Sequence, residues 1–233
     1  MRYFLLTIIC LLFFEFSFCQ DSTWKEVRID SILTVSLPGD VKQSDTVLTR
    51  KDIAFSTKIF SAYSDFTTIG VTVIQTDISI NPYEMETSYN KESFEGVKEG
   101  FKKKGEEKGY TIEMKDTVVN TVTGFKAELF ADDAKTKLRR ICYSFYVNSV
   151  NYLLLAVPSI DQKEECIEKM NRLLSSVQFN KKEIIAHASN SHSQGKGLTP
   201  RKLGNIVGYL LLVAGITAFL VYIIRKQRPN KRY

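Results

Sequence analysis

The sequence predicts an α+β domain whose helices pack on an antiparallel sheet, followed by one C-terminal transmembrane helix. Three observations favour this class. Several apolar or alternating segments have the length of strands, and two longer segments show the apolar spacing of amphipathic helices. A run of 22 residues, 203–224, contains no charged side chain. Because the strands precede, separate and follow the two helices, the pattern is that of an α+β fold.

The N-terminus, residues 1–19, is typical of a cleavable secretory signal. Arg2 precedes an apolar run at 4–14, and small side chains, Ser17 and Cys19, stand at positions minus three and minus one of the expected cleavage site. The run is shorter than the roughly 20 residues that a membrane helix needs. We expect cleavage after Cys19, which leaves residues 20–180 as one exported domain.

Turn residues bound the first strands of this domain. Residues 32–37 form a strand that stops at a Pro-Gly pair, and residues 46–50 and 53–63 predict a hairpin that turns at Lys51-Asp52. Residues 67–75 carry apolar groups on both sides. We therefore expect them to form a central strand that is covered on both faces.

A long helix and a meander are expected next. Asn81-Pro82 begins the helix, which runs to about Lys104. Its apolar face is spaced three and four residues apart: Phe94, Val97 and Phe101. Three glycines weaken it: Gly96, Gly100 and Gly105. The following strands predict an antiparallel meander with turns at Asp132-Asp133 and Asn148-Ser149: residues 110–115, 125–130, 138–147 and 152–157.

A second helix and a short strand complete the domain. Residues 159–162 are typical of a capping box, and the apolar face of the helix includes Ile167, Met170 and Leu174. Val177-Gln178-Phe179 is expected to close the sheet.

The C-terminal part predicts a membrane anchor. Residues 181–202 are polar and predict a flexible stalk. Residues 203–224 would reach about 33 Å as a helix, enough for the hydrocarbon core of a bilayer. Residues 225–233 carry five basic and no acidic side chains, as expected of a cytoplasmic flank. Since the net charge of +6 comes from this end of the chain, it gives no reason to expect nucleic-acid binding.

Five segments of the domain resemble those of the PsbP-like domains, a family named for an extrinsic subunit of photosystem II and sharing its fold with a Ran-binding nuclear-import factor. They are residues 33–38, 123–127, 140–146, 152–157 and 173–179. The resemblance spans most of residues 24–179 and contains no catalytic motif. It implies an α/β/α sandwich around an antiparallel sheet, in proteins that mostly bind or assemble other proteins. The soluble members lack the membrane anchor predicted here.

Two sets of residues are candidate sites. Cys142 and Cys166 remain after signal cleavage and can pair in an oxidising compartment, although two separate buried thiols are the simpler interpretation. Three glycines lie close to one face of the membrane segment and would let a second helix approach: Gly204, Gly208 and Gly215. This face predicts a homodimer, against the alternative that glycine is common in membrane helices.

Catalytic chemistry is poorly represented. Both histidines, His187 and His192, fall in the stalk, so the domain has no imidazole to act as a base or metal ligand. Ser-x-x-Lys occurs at 22–25, 88–91 and 193–196, but the other motifs of serine-lysine hydrolases are missing. We expect no catalytic, cofactor or metal site.

The leading hypothesis is a non-enzymatic, membrane-anchored module that binds or assembles an unknown protein partner outside the cytoplasm. The alternative is a small envelope hydrolase of the serine-lysine type. The chain has no Asn-x-Ser/Thr sequon, which favours a bacterial cell envelope as its location.

Overall fold

A computed structural model describes residues 24–50, 53–65, 67–132, 135, 137–158, 163–188, 199–202 and 204–209. The predicted signal peptide, the basic tail and most of the predicted membrane segment lie outside the described residues. In chain order the elements are β1 (Trp24–Arg28), β2 (Leu33–Pro38), β3 (Lys42–Arg50), β4 (Ile53–Ser64), β5 (Thr67–Ile80), α1 (Ser88–Glu107), β6 (Thr111–Val119), β7 (Val122–Phe130), β8 (Leu138–Pro158), α2 (Lys163–Ser175), β9 (Gln178–Phe179) and α3 (Lys181–Ala188). Residues 200–202 and 204–209 are also helical and are called the C-terminal segment.

The small sheet has three antiparallel strands in the order β1-β2-β9. One carboxylate forms the turn between β1 and β2, because Asp30 Oδ1 accepts hydrogen bonds from the backbone N–H groups of Ile32 and Leu33, both at 2.8 Å. The other oxygen, Oδ2, accepts a hydrogen bond of 2.7 Å from the buried Tyr152 hydroxyl. This bond fixes the small sheet to the large one.

The large sheet is antiparallel with the order β3-β4-β5-β8-β7-β6. The two halves of β8 have different neighbours, since residues 138–145 pair with β7 and residues 148–158 pair with β5. Asn148 has a φ of 56°, and Val147 and Val150 contribute to the same core. We conclude that β8 doubles back at Asn148-Ser149, the turn that the sequence predicts.

Both faces of the large sheet are covered. The first core lies beneath the small sheet, α2 and α3 and includes Leu33, Val71, Phe145, Met170 and Ile184. The second core lies beneath α1 and the C-terminal segment and includes Phe94, Val97, Phe101, Phe125 and Val207. The prediction that residues 67–75 form a central covered strand is confirmed, because β5 contributes Val71 to the first core and Ile74 to the second.

The predicted fold class is wrong. The chain is mostly β and has two antiparallel sheets, so one covering layer contains strands and the architecture is not an α/β/α sandwich. Two misread segments explain the error. The sequence predicts no strand at residues 24–28, which pair with β2, and it predicts that Val177-Gln178-Phe179 closes the main sheet, whereas Gln178 and Phe179 pair with β2. The pairing of β9 with β2 joins segments more than a hundred residues apart, which local sequence does not reveal.

The expected membrane helix is not found in the described part of the chain, where no helix is both long and apolar enough to cross a bilayer. Of the predicted segment 203–224, residues 204–209 are described. Residues 203 and 210–224 lie outside the described residues.

The first helix also begins later than predicted. Residues 81–87 form turns. The backbone N–H of Glu84 donates to the carbonyl of Asn81, and the backbone N–H of Thr87 donates to the carbonyl of Glu84. The Thr87 hydroxyl then caps α1 by accepting a hydrogen bond from the Asn90 N–H.

The predicted stalk is partly structured. Its first eight residues form α3, whose Ile184 is buried in the first core. Residues 189–198 lie outside the described residues. The chain is described again from residue 199, and Arg201 contacts Glu99 of α1.

Candidate functional site

Helix α1 has two buried faces that meet different neighbours. Phe94, Val97 and Phe101 face the sheet, and Phe94 and Phe101 each make an edge-to-face contact with Phe125 of β7. The other buried positions on α1 include Gly96 and Gly100. This second face contacts the C-terminal segment.

The contact between α1 and the C-terminal segment is made by four glycines, Gly96, Gly100, Gly204 and Gly208, which we call the glycine seam. A Cβ atom on any of them would collide with the backbone of the opposite helix. On Gly100 it would stand 2.8 Å from Cα of Asn205, and on Gly208 it would stand 2.6 Å from the backbone nitrogen of Phe101. Each helix supplies a G-x-x-x-G pair, the spacing that lets two helix backbones approach closely.

The two helices run in the same direction. Gly204 faces Ser93 and Val97, whereas Gly208, one turn later, faces Val97 and Phe101. The segment therefore follows α1 toward the C-terminal end of that helix. Val207 is buried in the second core, so the segment also packs on the sheet.

Charged groups flank the seam. Arg201 donates two hydrogen bonds to the Glu99 carboxylate, from Nε at 3.0 Å and from Nη2. These bonds hold the pKa of Glu99 below its usual value. At the other end, Lys104 Nζ lies 4.3 Å from the centroid of the Tyr209 ring and 3.0 Å from Glu107. Hydrogen bonds with Tyr209 and Glu107 raise the pKa of Lys104.

Of the three glycines predicted to form a dimer face, the structure describes two. Gly204 and Gly208 pack against α1 of the same chain, and Gly215 lies outside the described residues. A homodimer stays a prediction, but any dimer built on Gly204 and Gly208 would first have to displace α1.

Cys142 and Cys166 are both free thiols in the structure. Cys142 belongs to the second core and Cys166 to the first, so the sheet separates them. Burial raises the pKa of each thiol to about 12. Thiols that stay protonated in this way behave as small apolar groups.

The Ser-x-x-Lys matches gain no support from the described residues. Ser88 is the first residue of α1, and its hydroxyl donates to the Glu92 carboxylate at 3.1 Å, not to an amine. Ser22, Ser193 and Lys196 lie outside the described residues. His187 falls in α3 and His192 is not described. In the described ranges, no three His, Cys, Asp or Glu side chains are grouped as metal ligands would be.

Sequence reasoning missed the glycine seam. Helix propensity marks Gly96 and Gly100 as weak points of a helix, although their four-residue spacing repeats that of Gly204 and Gly208. That repeat was the available signal. Because the two pairs lie more than a hundred residues apart, patterns within one segment do not connect them.

Comparison with known proteins gives no relative: no family model, no curated protein and no solved structure matches this chain. The resemblance to PsbP-like domains therefore stays a prediction, neither supported nor contradicted by these searches.

Proposed function

We propose that this chain is a non-enzymatic binding module, held at the outer face of a membrane, that recognises an extended segment of another protein. The sequence supports the membrane location through the signal peptide, the apolar run at 203–224 and the basic tail. The resemblance to PsbP-like domains is in line with protein binding. The observation on which the proposal rests is the exposed edge of the large sheet at β3.

Strand β3 is an edge strand with the properties of a docking site. Its residues 45–47 are all exposed, so neither side of the strand is covered there. Val47 is 63% exposed, so its apolar side chain is open to a partner at this edge. An edge strand presents unpaired backbone groups that an extended peptide can pair with, and an apolar side chain beside them adds specificity.

The opposite edge, β6, differs from β3. Val118 is equally exposed there, at 64%, but neighbouring side chains form ion pairs with other elements. Lys98 of α1 contacts Asp116 at 2.9 Å, and Lys135 contacts Glu113 at 2.6 Å. These long side chains crowd the approach to β6. Val118 is therefore a matched control for Val47.

Site-specific photocrosslinking tests the proposal. A photoreactive amino acid replaces Thr46 in the full chain in native membranes, and a second chain carries it at Thr117, next to Val118. We expect a discrete protein adduct at position 46 that is lost when Val47→Asp is added, and no such adduct at position 117. Identical adducts at both positions, or an adduct that survives Val47→Asp, would contradict strand recognition at β3.

A further inference from the structure

The glycine seam determines where the chain leaves the domain. The C-terminal segment runs parallel to α1, and its last described residue, Tyr209, lies beside Lys104. Helix α1 ends at Glu107, about one turn further on. The described part of the C-terminal segment therefore ends beside the C-terminal end of α1.

That end of α1 is basic and bears two tyrosines. Lys102, Lys103 and Lys108 are exposed, and Tyr110 and Tyr209 are half-buried. Lysine and tyrosine are the residues that anchor proteins at the boundary between lipid and water. An open groove beside the helix end is lined in part by Lys102, Tyr110 and Thr111.

Two acidic residues lie among these lysines and do not cancel them. Glu107 contacts Lys104, which is already engaged with Tyr209. Glu106 reaches Lys102 only at 3.9 Å, in an exposed pair of little strength. In the described residues no carboxylate lies within salt-bridge distance of Lys103 or Lys108. The helix end keeps a net positive charge.

The length of the remaining apolar run brings this end close to a bilayer. With residues 204–209 held in the seam, 15 apolar residues of the predicted membrane segment remain, 210–224, and as a helix they would reach about 22 Å. A hydrocarbon core is about 30 Å thick. A short apolar run draws its flanking groups toward the membrane, so the end of α1 would enter the headgroup layer.

We infer that the C-terminal end of α1, with Lys102, Lys103 and Lys108, is a contact surface for anionic lipid headgroups. The inference rests on the membrane location in the proposed function. It adds an orientation: α1 stands with its C-terminal end toward the bilayer, and Lys91 near its other end points away. Twelve residues separate Lys91 from Lys103, or about 18 Å along the helix.

Amine footprinting of the full chain in vesicles tests the inference without any substitution. The chain is reconstituted in phosphatidylcholine alone or with about 30% phosphatidylglycerol, and a water-soluble acylating reagent modifies accessible lysines. In anionic vesicles we expect Lys102, Lys103 and Lys108 to react at least about threefold more slowly, and Lys91 to be unchanged. High salt should remove the difference.

Three results would each overturn the inference. Equal modification at both ends of α1 in anionic vesicles, with the chain retained after an alkaline carbonate wash, would disprove lipid contact and leave the membrane location intact. Loss of the chain in the carbonate wash would disprove both. Protection that persists in high salt or in phosphatidylcholine alone would show burial by protein and would also overturn the inference.

Discussion

Gly100 of α1 and Asn205 of the C-terminal segment lie so close that neither helix leaves room for a methyl group on Gly100. The contact joins α1 to the start of the apolar run at 203–224. Two helices at this distance gain dispersion contacts along their backbones, and glycine is the one residue that permits them.

Replacing Gly100 by alanine distinguishes the steric effect of the glycine seam from the effect of helix propensity, because the two change stability in opposite directions. In an uncontacted helix this change stabilises by roughly 0.5–1 kcal/mol. Here the added methyl group meets the Asn205 backbone, so we expect a loss of about 1–3 kcal/mol or release of the C-terminal segment. Chemical denaturation measures the loss of stability. Amide hydrogen exchange at residues 204–209 measures release of the C-terminal segment. Lys103→Ala, on the exposed side of α1, is the control; a stabilised Gly100→Ala protein would refute the seam.

Acid should loosen the same contact. Hydrogen bonds from Arg201 lower the pKa of Glu99 below its ordinary value of 4.5, so the pair stabilises the docked segment above that pH. As pH falls through the lowered pKa, Glu99 is protonated and this contribution is lost. We expect hydrogen exchange at 204–209 to accelerate below about pH 4.5 after correction for intrinsic rates. Glu99→Gln should remove this pH dependence. If the variant keeps the wild-type pH profile, protonation of Glu99 is not the cause of the faster exchange.

The bond between Tyr152 and Asp30 should be measurable as stability. Tyr152→Phe removes one hydrogen bond to a carboxylate and is expected to cost about 1.5–3 kcal/mol. Asp30→Ala should cost more, because it also removes the acceptor for two backbone N–H groups and leaves the buried Tyr152 hydroxyl unpaired. Urea unfolding gives both values. Equal losses in the two variants would contradict the role of Asp30 in the β1–β2 turn.

Both domain thiols should resist modification until the chain unfolds. With a pKa of about 12, roughly one thiol in ten thousand is ionised at pH 8, and both side chains are buried. We expect Cys142 and Cys166 to be unlabelled by a thiol reagent in the native protein and fully labelled in denaturant without reductant. Peptide mass mapping locates the label. Resistance that persists in denaturant until reductant is added would instead indicate a disulfide.

Local patterns correctly predicted the elements that depend on near neighbours. The meander β6-β7-β8, the turn at Asn148 and the apolar face at Phe94, Val97 and Phe101 all follow from side-chain periodicity and turn chemistry. The start of α1 was misplaced, because Asn81 forms a turn through its own side chain and Thr87 supplies the cap.

The sequence by itself determined most of the strands, the two longer helices apart from the start of α1, and the apolar and basic character of the C-terminal end, because these depend on composition and spacing within a few residues. The tertiary structure alone decided that β9 pairs with β2 in a second sheet and that Gly204 and Gly208 contact Gly96 and Gly100. Both outcomes join segments more than a hundred residues apart. Their free energy depends on how closely two distant backbones fit, which the spacing of side chains along one segment does not encode.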